Sequence, residues 1–189
     1  MKNIFKLNFA IFMIAIIFQG CQPETSETSE TSDAPDEVNP VDISPNSETD
    51  IAVVQSYIDA LLTADSVTLR SVTTSNFQAL LVKNPIDSSG IDEVISLWAS
   101  NLKTRSKQAN ETVAASSLRV NEGPYQGDWV QYWGNYSATI NETGVEIIVP
   151  YFVNSRMKNG KMDRSFSYYD RLAIFEALGY KLELSDEEN

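Results

Sequence analysis

Apolar residues recur at helical spacing in the first half of the chain. In "SETDIAVVQSYIDALLTAD", the positions that share one helical face are Ile51, Val54, Ile58, Leu61 and Leu62. Ser47 and Asp50 have the spacing of a capping pair at the start of this helix. A shorter helix is predicted over residues 66–73, and an amphipathic helix from residue 91 to about 106, after an irregular segment. Three helices are therefore predicted to come first.

The pattern changes to period two after residue 111, where aromatic and β-branched residues dominate. The predicted strands are "TVAASSLRVNEG", "DWVQYWGNYSATI", "VEIIVPYFVNSRM" and "MDRSFSYYDRLAIF". Asn159 and Gly160, between the last two, suit a hairpin turn that needs positive φ. Helices followed by an antiparallel meander predict an α+β fold, with three N-terminal helices packed on one face of a curved antiparallel sheet.

The order of these segments resembles the NTF2-like superfamily. "AVVQSYIDALLTAD" is followed by "NP", a helix, the strand series and "NGKMDRSFSYYDRLAIFEALG". Within the superfamily the chain is most similar to SnoaL-like and ketosteroid isomerase-like proteins, over residues 50–180. The resemblance implies a cone-shaped α+β barrel whose open end is an apolar pocket.

The N-terminus has the pattern of an export signal. Lys2 and Lys6 precede ten consecutive apolar residues at 9–18, which are too few to span a bilayer. Gly20 and Cys21 follow in "FQGC", which resembles the lipobox of bacterial lipoproteins. The resemblance implies that Cys21 is acylated and anchors the chain to the cell envelope, at the outer membrane. The alternative is an incidental cysteine after an ordinary signal peptide.

The chain divides into four segments that differ in composition. Residues 1–20 are the predicted signal peptide and 21–49 the lipidated cysteine with a disordered acidic tether, which carries a triple "ETS" repeat and no basic residue. Residues 50–184 form the predicted NTF2-like domain, and 185–189 an acidic tail. The whole chain has a net charge of −12. It lacks the basic stripe that phosphate neutralisation needs, so no nucleic-acid partner is expected.

The resemblance also bears on catalysis. Ketosteroid isomerases use a tyrosine and a protonated aspartic acid to hold an enolate oxygen, and a second aspartate as base. By motif position, Tyr57 matches the tyrosine, Asn84 stands where the base is expected, and the protonated acid falls on or near Phe152. An amide and a phenyl ring cannot take these roles, so the isomerase reaction is not expected.

Asp170 is the remaining catalytic candidate, because an acid near this strand end recurs among SnoaL-like enzymes. An isomerase or hydrolase that uses Tyr57 and Asp170 is therefore the alternative function. The structural interpretation of Asp170 is an ion pair with Arg171 or Arg164, or a cap on the following turn.

An aromatic binding pocket is the type of site that the sequence still favours. The chain has no histidine, no phosphate-binding loop and no calcium-loop spacing, so neither a metal nor a cofactor is expected. The predicted pocket residues are Tyr57, Asn84, Trp98, Phe152 and Tyr168, although most of the chain's rings could equally form core. The leading hypothesis is a non-catalytic domain that binds a small apolar molecule or a protein partner. A homodimer formed through the sheet is a further possibility.

Overall fold

The computed structural model describes residues 39–80 and 88–181. The predicted signal peptide, Cys21, most of the tether, Asn84 and the acidic tail lie outside these ranges. Residues Val38–Asn189 form one compact unit, which contains every helix, strand and core cluster described below. This unit holds its own hydrophobic core and can therefore fold without the segment that precedes it.

Four helices occur in the described residues. Their bounds are α1 Ser47–Thr63, α2 Ser66–Val72, α3 Ile91–Thr104 and α4 Arg171–Ala177. Helix α2 begins at Asp65, whose carboxylate accepts from the backbone N–H groups of Val67 and Thr68. At the start of α3, the Glu93 carboxylate accepts from the Gly90 N–H at 3.0 Å. No helix in the described ranges is both long and apolar enough to cross a bilayer.

Within the part of the chain that the structure describes, seven strands form one curved sheet. Their bounds are β1 Val41–Ile43, β2 Thr73–Leu80, β3 Ser88–Ser89, β4 Arg105–Val120, β5 Gly127–Ile140, β6 Glu146–Lys158 and β7 Lys161–Tyr169. The strand order is β1-β4-β5-β6-β7-β2-β3, with antiparallel pairing except between β2 and β7. Asn159 has positive φ at the β6–β7 turn, as the sequence predicts.

The architecture differs from the prediction in four places. The sheet is mixed, because β2 pairs parallel with β7. Strands β2 and β3 occupy the segment predicted as irregular, so the first three helices are not a continuous block. Residues 171–177 form α4 instead of extending the last strand. Finally, β1 and the start of α1 lie within residues 39–49, so the end of the predicted tether belongs to the folded unit.

The hydrophobic core lies between the helices and the inner face of the sheet, in two clusters. The larger contains Val54, Leu69 and Tyr132, which are fully buried. The smaller surrounds Ile140 on the same face. Trp98 and Tyr151 pack against both clusters. These two residues therefore join the two clusters of the core.

Asp50 is a buried carboxyl group in α1, only 3% exposed. Its Oδ2 accepts from Ser44 Oγ at 3.5 Å, so it does not cap the helix with Ser47 as predicted. Burial raises the pKa of Asp50, and the negative charge of Asp128 adds to this effect. The hydrogen bond from Ser44 and the charge of Arg119 act in the opposite direction and are weaker.

We expect Asp50→Asn to be more stable than the wild type at pH 7. Because the folded-state pKa is raised, the charged carboxylate destabilises the fold above that pKa, and the neutral amide removes this cost. The gain should vanish as the pH falls to the ordinary aspartate value of 3.8, where the wild-type carboxyl group is also protonated. Urea unfolding of the compact unit at a series of pH values measures both effects.

The control is Asp65→Asn, at the exposed N-cap of α2. Hydrogen bonds from Thr68 lower the pKa of Asp65. Its carboxylate therefore favours the folded state, and this variant should lose stability at pH 7. An Asp50→Asn protein that is less stable than the wild type at pH 7 would contradict the assignment of Asp50 as a destabilising buried charge.

Candidate functional site

A cavity of about 390 Å³ lies between α1, α3 and the inner face of the sheet. Helix α1 contributes Ile58, Leu61 and Leu62 to its wall, and α3 contributes Val94, Leu97 and Trp98. Val149 and Val153 of β6 line the opposite side. The volume falls within the range of about 300–1,000 Å³ that small-molecule pockets occupy. A small organic molecule with a largely apolar surface therefore fits this cavity.

Tyr57 lines the cavity from α1 and is 5% exposed. Its ring packs on Phe77, with the ring centroids 5.6 Å apart. Burial raises the pKa of the Tyr57 hydroxyl, and a hydrogen bond with Ser165 lowers it by less. The hydroxyl therefore stays protonated at neutral pH and cannot act as a base.

A row of hydrogen bonds leads from the cavity wall to the protein surface. Tyr151 Oη donates to Asn110 Oδ1 at 2.6 Å, and Asn110 Nδ2 donates to Tyr132 Oη at 3.0 Å. Tyr132 Oη donates to Gln55 Oε1 at 2.7 Å, and Gln55 Nε2 donates to the exposed Asp59 carboxylate. We call these five residues the tyrosine row. It links β6, β4 and β5 to α1.

The two tyrosines of the tyrosine row stack on each other. Tyr132 is fully buried, and its ring stacks on that of Tyr151 with centroids 6.1 Å apart. Burial raises the pKa of the Tyr151 hydroxyl, which therefore stays protonated at neutral pH. Since this hydroxyl already donates to Asn110, it offers a ligand in the cavity only its lone pairs.

Gly134 makes room for the Tyr151 ring. The two residues are paired across β5 and β6. A Cβ atom at position 134 would lie 2.5 Å from Tyr151 Oη and 2.6 Å from its Cζ. The ring therefore occupies the space above the glycine, and this position brings its hydroxyl to Asn110.

A second set of hydrogen-bonded side chains in the cavity wall surrounds Arg105, the residue directly after α3. Arg105 Nη1 donates to Tyr136 Oη at 3.4 Å, and the guanidinium carbon lies 5.8 Å from the Tyr136 ring centroid. Tyr136 Oη in turn donates to Gln108 Oε1 at 2.6 Å. The edge of Trp98 meets the Tyr136 ring at a centroid distance of 5.8 Å. A cation and two aromatic rings therefore lie together in one part of the wall.

No protein-family model matches the sequence, and no curated protein matches it either. Solved structures do match the fold. A protein from Jannaschia sp. CCS1 described as a SnoaL-like polyketide cyclase aligns with a TM-score of 0.61 at 16% identity, over 75% of this chain and 99% of that one. An NTF2-like protein from Burkholderia xenovorans LB400 aligns with a TM-score of 0.51 at 16% identity, over 69% and 96%. An LEH-like epoxide hydrolase from M. tuberculosis gives 0.53 at 13% identity, over 71% and 92%.

The chain has an NTF2-like fold. The likeness covers nearly the whole length of each of these structures, so the resemblance predicted from the sequence is confirmed at the level of the fold. Identities of 13–16% carry no residue roles across. The chemistry of this NTF2-like cavity has to be argued from its own side chains.

Two of the predicted pocket residues, Tyr57 and Trp98, line the NTF2-like cavity. Asn84 lies outside the described residues. Phe152 and Tyr168, predicted for the pocket, lie instead on the outer face of the sheet, where Phe152 packs between Trp133 and Tyr168 at centroid distances of 5.0 and 6.1 Å. The physical reason is that successive side chains of a strand point to opposite faces of the sheet. Because Tyr151 and Val153 line the cavity, Phe152 between them points to the outer face. We call Trp133, Phe152 and Tyr168 the outer aromatic row.

Asp170 is exposed and is the N-cap of α4. Its Oδ1 accepts from the N–H groups of Leu172 at 2.8 Å and Ala173 at 3.3 Å. Its neighbour Tyr169 lines the cavity, whereas Asp170 is absent from the described lining. The structure therefore does not bring Asp170 together with Tyr57, and capping is the role its contacts support.

Sequence reasoning missed Tyr151, Asn110 and Arg105 as wall residues. Tyr151 gives no clear signal, since its neighbours on both faces of the strand are apolar and no alternation marks the inner face. Arg105 could have been noticed as a single cation at the end of an amphipathic helix. Asn110 gives no sequence signal, because only the tertiary contacts bring it to Tyr132 and Tyr151.

Within residues 39–80 and 88–181, no three His, Cys, Asp or Glu side chains are grouped as metal ligands.

We expect Gly134→Ala to destabilise the compact unit by about 1–3 kcal/mol, because the new methyl group overlaps the Tyr151 ring. The displaced ring would also lose its hydrogen bond to Asn110. Urea unfolding measures the loss.

The matched control is the same substitution in a Tyr151→Ala background. There the overlapping ring is gone, so Gly134→Ala should be neutral or slightly stabilising, as alanine is less flexible than glycine in a strand. An equal loss in both backgrounds would show that Gly134 is required for a reason other than the ring.

Proposed function

We propose that this chain is a lipid-anchored protein of the bacterial cell envelope, whose NTF2-like domain binds a small apolar molecule without converting it. The observation that carries the proposal is the cavity itself. Its walls are mainly aliphatic and aromatic, and burial raises the pKa of the Tyr57 and Tyr151 hydroxyls, which keeps them neutral. Such a wall favours apolar contact with a few fixed hydrogen bonds.

Among the described lining residues no side chain suits the role of a base, and this supports binding without turnover. Proton abstraction needs a group that ionises near the working pH and reaches the substrate. Burial raises the pKa of both Tyr57 and Tyr151, so neither is a base at neutral pH. Among the described lining residues Glu93 is the one carboxylate, and it is exposed and accepts from the Gly90 N–H at the start of α3.

The enzyme alternative has less support. Proteins described as a polyketide cyclase and an epoxide hydrolase share this fold, but one fold supports many unrelated functions. An isomerase or hydrolase built on Tyr57 and Asp170 would need the acid in the cavity. The contacts of Asp170 are those of a helix cap at the surface.

The anchoring part of the proposal is supported by the sequence alone, because Cys21 lies outside the described residues. An export-type segment ends in "FQGC", and an acidic stretch without lysine or arginine follows. Several acyl chains on one residue hold a protein stably on a bilayer. Acylated Cys21 would place the folded unit at the outer membrane.

The predicted homodimer remains a proposal. The outer aromatic row gives it a surface, since Trp133 is 39% and Tyr168 53% exposed. Light scattering of the compact unit at micromolar concentration would measure the oligomeric state, and a monomer there would reject the dimer.

We expect Cys21 to carry a thioether-linked lipid in the full-length chain expressed in a Gram-negative host. Mass spectrometry of the mature N-terminal peptide should give a mass raised by the acyl groups, and the protein should sediment with membranes. Cys21→Ser should lose both the lipid and the processing. An unmodified Cys21 in a mature, soluble protein would reject the anchor.

We expect Ser167→Trp to lose binding of N-phenyl-1-naphthylamine, a neutral apolar fluorescent probe, by at least about tenfold. Ser167 lines the cavity, and an indole at this position occupies the space that the probe would use. Titration of the compact unit with the probe, followed by fluorescence, measures the affinity.

The matched control is Tyr168→Trp, the next residue along β7. It lies on the outer face, so the affinity should stay within about twofold of the wild type. Loss of binding in Tyr168→Trp with retention in Ser167→Trp would place the apolar site on the outer face and reject the cavity.

A further inference from the structure

The cavity holds a cation whose charge is not balanced by any described side chain. Arg105 is half-buried in the wall, and its contacts are one long hydrogen bond to Tyr136 Oη and the face of the Tyr136 ring. A guanidinium group has five N–H donors. Most of the donors of Arg105 therefore have no partner among the described residues.

Among the described arginines, Arg105, Arg164 and Arg171 form no salt bridge, and of these three Arg105 alone lines the cavity. Arg119 pairs with Asp128 and Arg156 with Asp163, each through two hydrogen bonds. Arg70 forms an ion pair with Asp92. Arg105 forms no salt bridge within residues 39–80 and 88–181, although it is less exposed than Arg70.

Glu93, the carboxylate among the described lining residues, is too distant from Arg105 to neutralise its charge. Glu93 lies in the first turn of α3, where it bonds the Gly90 N–H, and Arg105 follows the last turn. At about 1.5 Å per residue, the two positions are separated by roughly 18 Å along the helix axis. The two charges therefore lie at opposite ends of the helix that borders the cavity.

Attraction between Arg105 and the C-terminal end of α3 does not account for this placement. A cation near a helix C-terminus is favoured, but the effect is available to a side chain that points into solvent. Arg105 instead lies half-buried in the cavity wall, with its guanidinium over the Tyr136 ring and most of its donors without a partner among the described residues. A ligand anion in the cavity would accept hydrogen bonds from these donors.

We propose that the cavity binds an amphipathic carboxylate, with its apolar body against α1, α3 and β6 and its carboxylate on Arg105. The planar guanidinium fork matches two carboxylate oxygens at once. Asn101, which lines the cavity one turn before Arg105 on α3, offers an amide donor nearby. This inference rests on the proposed function and names the class of ligand for the same site.

The test compares decanoate with decanol, which share one apolar tail and differ in the head group. Each is titrated into the compact unit at pH 7.5 by calorimetry and by displacement of N-phenyl-1-naphthylamine. Decanoate should bind at least about tenfold more tightly than decanol. Arg105→Gln should abolish that preference.

Two further variants make the result specific. Arg105→Lys keeps the charge but loses the two-point geometry, so it should keep part of the preference. Arg70→Gln removes an equal charge from an exposed ion pair outside the cavity and should leave the preference intact. Circular dichroism confirms that each variant is folded, and the wild-type comparison of the two ligands does not depend on any variant.

The outcomes separate this inference from the proposed function. A domain that binds the neutral probe but shows no preference for decanoate would overturn the carboxylate and keep the apolar site. Preference retained in folded Arg105→Gln would overturn the role of Arg105. A domain that binds neither the probe nor either ligand would overturn both proposals.

Discussion

The antiparallel pairing of β5 with β6 is the constraint on which the site depends. The two strands stay in register from Asp128 opposite Met157 to Thr139 opposite Glu146, without a bulge. This register places Gly134 beside Tyr151 on the inner face, and Trp133 beside Phe152 on the outer face. A slip of one residue would exchange the two faces, so the phenol of Tyr151 would leave the cavity and the phenyl ring of Phe152 would enter it. The tyrosine row exists only in the observed register.

The sequence predicts the helices and the long hairpins well, because their patterns are local. The apolar spacing of α1 also brings Tyr57 to the inner side of the helix. Strand β2 is different, since "TTSNFQAL" is largely polar and becomes a strand by pairing with β7, far away in the sequence. For Phe152 the limit is that every residue from 147 to 153 is apolar, so the alternation that would identify the inner face is lost. That Arg105 has no carboxylate partner among the described residues depends on which acids lie nearby in space, which no local pattern encodes.

The polar groups of the cavity fall into two kinds. The hydroxyls and amides of the tyrosine row already bond one another, and a fully satisfied buried network is rigid and specifies one arrangement of the surrounding core. Arg105, by contrast, retains donors that no described residue accepts. The tyrosine row thus maintains the shape of the cavity without a ligand, and Arg105 is left available to recognise one. This separation allows the cavity to be formed before anything binds.

The parallel pairing of β2 with β7 has a consequence for the order in which the molecule is completed. Gln78 and Arg164, which meet across this pairing, are 86 residues apart in the chain. Contacts between such distant segments form slowly, because a long loop must close before they contribute stability. Ser167 and Tyr169 of β7 are part of the cavity wall, together with Tyr57 near the start of the unit. A growing chain therefore has no complete cavity until β7 has been made, and the proposed ligand binding would report that β7 has been synthesised and has folded.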